Sequence, residues 1–152
     1  MRTVSDIKKA FEGIVERHQQ LKKFYTNSIE EMDVDKMDVV DFPLLYAQVS
    51  GADIGVGYTE FSYQVIVADL VIQDQLPTLD MVYTDTLLIM QDVIAALYNT
   101  DYSAVDIQIG ISMPAQCTPF TASYNNLLTG WDVSLSIRVP NALELCDAPY
   151  SN

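Results

Sequence analysis

Acids are the abundant reactive groups in this chain, and their spacing assembles no recognisable chemistry. There are 21 Asp and Glu residues against one histidine and two cysteines. Asp33 and Asp35 stand where a calcium loop would begin, but its fifth position is Met37 and no glycine follows, so an EF-hand ligand set fails. Asp80, Asp85 and Asp92 do not share one helical face, which argues against a paired-carboxylate site. The glycines of 50–57 have the density of a phosphate loop. No Lys-Ser/Thr follows them, and the next segment reads as a strand, so the helix dipole that holds phosphate is missing. Cys117 and Cys146 match neither CxxC nor zinc spacing; two free thiols and a single disulfide both stay open. No G-x-S-x-G, H-E-x-x-H or Walker lysine is present. The expectation is a chain that is not an enzyme and holds no cofactor and no metal.

The bulk properties bound the answer further. A length of 152 residues fits one domain with a real core, and 49% apolar residues exclude a largely disordered chain. Apolar runs are short and interrupted, so no membrane segment and no secretory signal are expected. The net charge of −13 is unevenly spread. Residues 1–24 carry six cations (Arg2, Lys8, Lys9, Arg17, Lys22, Lys23) and three acids, a net of +3. Beyond them lie Lys36, Arg138 and 18 acids, a net of −16. An acidic body repels nucleic acid, so specific DNA binding is not expected, although acidity also simply keeps a protein soluble.

The elements that must position these residues follow from periodicity. Val4, Ile7, Phe11, Ile14, His18, Leu21 and Tyr25 recur at steps of three and four, predicting a helix over 4–25, with Thr3 and Asp6 as its capping box. His18 falls in that stripe and reads as a satisfied core or interface residue. The acidic stretch 27–41 reads as a solvated loop or a short helical turn. A strand over 39–49 contains Pro43, which places it at a sheet edge or at a strand start. The connection 50–57 reads as a hairpin loop, and a second strand covers 59–72. Apolar residues on both of its faces imply a central strand, or one packed on a neighbouring subunit. A second helix over 78–98 carries Val82, Leu87, Met90, Ile94 and Leu97 as its stripe. A third strand spans 104–113, with Val105, Ile107, Ile109, Ile111 and Met113 alternating. A loop with Cys117, Pro119 and Phe120 then leads to a fourth strand over 128–139. There Trp131, Val133, Leu135, Ile137 and Val139 face one way, and Asp132, Ser134, Ser136 and Arg138 the other. The order α-β-β-α-β-β predicts an α+β fold, an antiparallel sheet with helices packed on one face. Residues 1–140 form the single domain and 141–152 a C-terminal tail.

Nine tyrosines, five phenylalanines and Trp131 supply contact area with polar tips. Trp131 and Phe61 are assigned to the core. Tyr58, Tyr124 and Tyr150 are candidate interface residues, together with the basic Lys8, Lys9, Lys22 and Lys23.

The element order, with a strand built around Phe42-Pro43-Leu44-Leu45-Tyr46, resembles the tail terminator and neck (head-tail joining) ring proteins of tailed bacteriophages. Tyr83-Thr84-Asp85-Thr86-Leu87, and Thr118-Pro119-Phe120-Thr121 before Gly130-Trp131-Asp132, resemble virion proteins of crAss-like phages that infect Bacteroidetes. The likeness covers about residues 1–150, with a shorter connection around 50–58 than it implies. It implies a tail-terminator-like structural virion protein, made in the host cytoplasm and located in the neck or tail. Six or twelve copies would form a homo-oligomeric ring beside portal, neck or tail proteins. DNA would pass through the channel without specific binding, eased by the acidic body, while the basic first helix docks on an acidic neighbouring ring. The competing reading is a non-catalytic α+β module binding an apolar ligand or a peptide between sheet and helices. A third, an enzyme using carboxylates, requires acids clustered in space with raised pKa values, which spacing in sequence does not reveal.

Overall fold

A computed structural model describes residues 4–26, 42–72, 76–99, 110–123 and 127–141. The element order is α1 (Val4–Arg17), β1 (Lys23–Tyr25), β2 (Leu44–Ile54), β3 (Tyr58–Val71), α2 (Leu79–Tyr98), β4 (Gly110–Ile111), β5 (Cys117–Ser123) and β6 (Leu127–Pro140). The strands form one sheet in the order β1-β2-β3-β6-β4, with β5 also paired to β6. All pairings are antiparallel except β1 with β2. Both helices lie on one face. The fold is therefore α+β, as the periodicity predicts.

The centre of the sheet is the β3–β6 pair, in register from Tyr58↔Pro140 to Val71↔Leu127. On the helical face, Tyr63, Val65 and Val67 of β3 meet Val133, Leu135, Ile137 and Val139 of β6. Ile7, Phe11 and Ile14 of α1 and Ile89, Met90, Val93 and Leu97 of α2 close over them. The opposite face carries a second cluster: Phe42, Leu44, Tyr46, Ile66, Ala68, Leu70 and Leu128. The expected two-sided apolar pattern of β3 therefore arises inside one chain, because β3 is a central strand with a core on each side.

Gly130 marks the closest approach in this pair. A Cβ placed there would lie 1.9 Å from the Val67 carbonyl oxygen and 2.8 Å from Ala68 Cα. Backbone cannot swing aside as a side-chain tip can, so only glycine fits.

Four expected boundaries change. The first helix stops at Arg17, not at residue 25, because His18 folds back on the chain. Its Nδ1 accepts the backbone N–H groups of Gln20 (3.1 Å) and Leu21 (3.3 Å), bonds that a continuing helix would not allow. The Lys22 N–H then bonds to the Pro43 carbonyl (2.9 Å), and the chain enters β1, a strand absent from the expected order. The first expected strand shifts to Leu44–Ile54, so Pro43 immediately precedes it, consistent with a strand start. The loop expected around Cys117, Pro119 and Phe120 is β5, paired to β6 from Cys117↔Val133 to Ser123↔Leu127. Pro119 is tolerated because β5 contributes no second ladder among the described residues. The α2 stripe is also rotated. Val82, Thr86, Ile89, Met90, Val93, Ala96 and Leu97 are buried, whereas Leu87 and Ile94 are half-buried. Of the third expected strand only Gly110–Ile111 is seen, since 104–109 lie outside the described residues. The capping residue Thr3, the acidic stretch 27–41 and the tail 142–152 lie outside them too.

α2 has the length and apolar content of a membrane-crossing helix. Its apolar side is spent on the sheet, and Asp80, Asp85 and Asp92 face outward, so it serves as the core helix.

Replacing Gly130 with alanine should lower stability by at least the upper end of the roughly 1–3 kcal/mol typical of overpacked cores, because backbone is the obstacle. Urea unfolding of G130A against the parent measures it, and an unchanged midpoint would contradict the close approach.

Candidate functional site

Two surface features stand out among the described residues: a projecting hairpin and a cleft between the helices. The hairpin is the outer half of β2 and β3. Regular alternation would send Ile54 to the face opposite Leu45, Ala47 and Val49. A bulge at Ser50 shifts the register between Val49 and Gly51, so that Ala52 pairs with Phe61 and Ile54 with Thr59, back on the helical side. The Ser50 hydroxyl bonds to the Ser62 carbonyl at 3.1 Å. Residues 55–57 close the turn, with Gly57 at φ +89°, a conformation that favours glycine. At the tip, Ile54 is 73% and Val56 87% exposed.

The tip is held firmly despite its exposure. The Gly55 N–H donates to the Tyr58 carbonyl (2.9 Å), and the Asn141 N–H to the Gly57 carbonyl (3.1 Å). Asn141 Nδ2 donates to Thr59 Oγ1 (2.7 Å) and to the Gly55 carbonyl (3.3 Å). Arg138 bonds to Glu60 through Nε (2.9 Å), and its guanidinium lies 4.5 Å from the Tyr58 ring centroid. A braced apolar tip loses little conformational freedom when it docks.

The cleft, of about 610 Å³, lies between the end of α1 and the second half of α2. Ile14, Ala95 and Ala96 form an apolar wall, with Arg17, Gln19, Gln20 and Asn99 around it. His18 spans it. Because Nδ1 accepts two amides, the proton sits on Nε2, which donates to Asp92 Oδ2 at 2.8 Å. Both ring nitrogens are engaged in structure, so this His–Asp pair has no free nitrogen to act as a base. The expectation of a satisfied histidine describes its bonding well.

The expected site residues are not gathered into one patch. Lys8, paired with Glu12 at 3.9 Å, and Lys9 are exposed on α1. Lys22 and Lys23 are exposed around the start of β1. Lys23 lies on the opposite side of the sheet from the helices, the side of Tyr25, with Nζ 5.9 Å from the Tyr25 ring centroid. Tyr58 is at the hairpin tip, 39% exposed. Tyr124 and Tyr150 lie outside the described residues. Phe61 and Trp131 pack against the core while staying half-buried.

The short words behind the phage resemblance do come together, as a packing joint. Trp131 Nε1 donates to the Tyr83 carbonyl at 2.9 Å, and the two rings meet edge to face at 5.8 Å. The Tyr83 hydroxyl lies 2.8 Å from Thr121 Oγ1. This joint fixes α2 across β5 and β6 and carries no reactive group. Cys117 is a free thiol, pushed up in pKa by burial, which disfavours the reactive thiolate. Asp69 is also raised, mainly by burial and slightly by Asp85, while the Leu70 N–H pulls it down. Among the described residues no three His, Cys, Asp or Glu side chains are placed to hold a metal.

No protein-family model matches the chain, and no curated protein matches it.

The hairpin expected over 50–57 is present, with its strands running further, to Ile54 and from Tyr58; its braces leave no local signal, since glycine density and two aliphatic residues at 54 and 56 look like any loop. The signal that could have marked the exposed tip is the pair of apolar residues inside a glycine-rich turn.

Two side chains test these assignments. Replacing His18 with alanine should cost roughly 1–2 kcal/mol, because it strands two amides and cuts the tie to α2. D92N should cost less, since its side-chain oxygen still accepts from Nε2; equal losses would contradict the bonding described. The Tyr63 hydroxyl is buried with no partner among the described residues, and burial pushes its pKa up to about 12. The unfolded chain ionises this group from roughly pH 10. The folded chain holds its proton to about 12. Stability is therefore retained below the first value and lost as pH rises through the second. Denaturation across that window should show a steeper decline for the parent than for Y63F, and parallel curves would contradict the burial effect.

Proposed function

We propose that this chain is a structural, non-catalytic subunit of a ring in the neck or tail of a tailed phage virion, in a tail terminator or head-tail connector role. One observation carries the reading furthest. A braced hairpin presents Ile54 and Val56 to solvent, and no other described residue covers them. An exposed aliphatic pair held in one conformation suits a permanent contact between subunits. The bonded state of His18, and the lack of clustered acids among the described residues, agree with a protein that acts through its surfaces. In this reading the acidic body lets DNA pass without sticking, and the basic residues Lys8, Lys9, Lys22 and Lys23 attract an acidic neighbouring ring.

The cleft favours the second reading, a ligand- or peptide-binding module. Its volume lies within the roughly 300–1,000 Å³ of small-ligand sites. It opens between two helix ends, however, and not between sheet and helices as that reading expects.

Imaging intact tailed particles that carry the labelled chain should place it in a closed ring at the junction of head and tail. Changing Lys8, Lys9, Lys22 and Lys23 to glutamate should remove that ring from particles. A chain absent from particles, or a charge-reversed chain incorporated as well as the parent, would overturn this proposal or its docking part respectively.

A further inference from the structure

We infer that a water molecule is bound beneath α1, in a small cavity at the β1 end of the sheet, and that the Tyr63 hydroxyl holds it. The inference is independent of the ring reading. The cavity, of about 50 Å³, lies where α1 packs on β1 and β2. Phe11, Phe24 and Tyr63 supply its aromatic lining, and Lys8, Thr26 and Gln48 its polar lining. Tyr63 is 3% exposed, and its Oη has no partner among the described residues. A buried hydroxyl without a partner bears its whole desolvation cost, so native proteins bond nearly all of them. The Tyr63 ring is held by Phe11, with centroids 5.6 Å apart, and Phe11 stacks on Phe24 at 6.3 Å. That packing fixes where the hydroxyl sits, and the partner has to come to it.

Size and chemistry select the occupant. The cavity exceeds the roughly 10–15 Å³ that one water requires, and falls far short of the roughly 300–1,000 Å³ of small-ligand sites. A wholly apolar cavity would stay dry, because a bound water needs two or more polar partners. Tyr63 Oη supplies the first. Thr26 Oγ1 supplies the second: it donates to Gln48 Oε1 at 3.1 Å, which leaves its lone pairs to accept. Lys8 lines the cavity as well, but its ammonium meets Glu12 at 3.9 Å, so the site has no net charge with which to select an anion. The water accepts the Tyr63 proton and donates one of its own to Thr26 Oγ1. It thereby ties β3 to the residue that follows β1, beneath the cover of α1.

Two measurements on the full chain test this. A high-resolution crystal structure of the parent should show an ordered water within about 3.0 Å of Tyr63 Oη. Magnetic relaxation dispersion of the solvent counts long-lived internal waters, and Tyr63→Phe, with circular dichroism to confirm folding, should hold one fewer than the parent. A Tyr63 hydroxyl bonded directly to a protein group, or a cavity without water density, overturns the inference. An unchanged water count in folded Tyr63→Phe overturns it too, because the site then does not depend on the hydroxyl. Should the variant fail to fold, the crystal structure of the parent decides alone.

Discussion

The constraint on which the rest depends is the unbroken pairing of β3 with β6. Fourteen residues of each strand are matched, from Tyr58↔Pro140 to Val71↔Leu127. This ladder leaves no room for adjustment at Gly130, where β3 backbone lies against the position a side chain would take. With these strands locked, their alternating side chains define two apolar faces. One receives both helices, and the other is built around Tyr46, Ile66 and Leu128. Burial of this kind supplies most of the stabilisation in a domain of this size, since each aliphatic side chain fully buried contributes about 1.5–3 kcal/mol.

Where the sequence obeyed simple periods, it was readable. The alternation from Trp131 to Val139 matches β6, and the helix expected over 78–98 matches α2 to within a residue. Misreadings came where a side chain or a neighbouring strand overrode the local pattern. The stripe from Val4 continues through His18 and Leu21, yet the imidazole captures two amides and ends the helix; Leu21 is buried anyway, from a loop. The segment with Pro119 reads as a loop in sequence, but it pairs with β6, and among the described residues it has no second ladder that a missing N–H would break. Thr86 lies outside the expected stripe yet is buried. Its hydroxyl returns to the Val82 carbonyl at 2.6 Å, which lets it be buried.

The interaction features were less legible, for a physical reason. A braced tip depends on contacts between residues far apart in the chain: Asn141 with Gly55 and Thr59, and Arg138 with Glu60 and Tyr58. None has a signature in local spacing. Composition pointed to aromatic residues, whereas the most exposed apolar groups at the hairpin are aliphatic. Charge segregation was visible, but four lysines near in sequence divide between a helix and the start of a strand, and Lys23 turns to the other side of the sheet.

The Ser50 bulge separates two parts of β2 that answer to different demands. Below it, Leu44 to Val49 are pinned by the core; above it, the strand pairs with β3 alone among the described residues and is exposed. An extra residue at such a point can be gained or lost while the pairs beneath keep their partners. The bulge thus uncouples the pitch of the outer β2 segment from the alternation of the core pairs beneath it. The finger can tilt while the palm stays as it is.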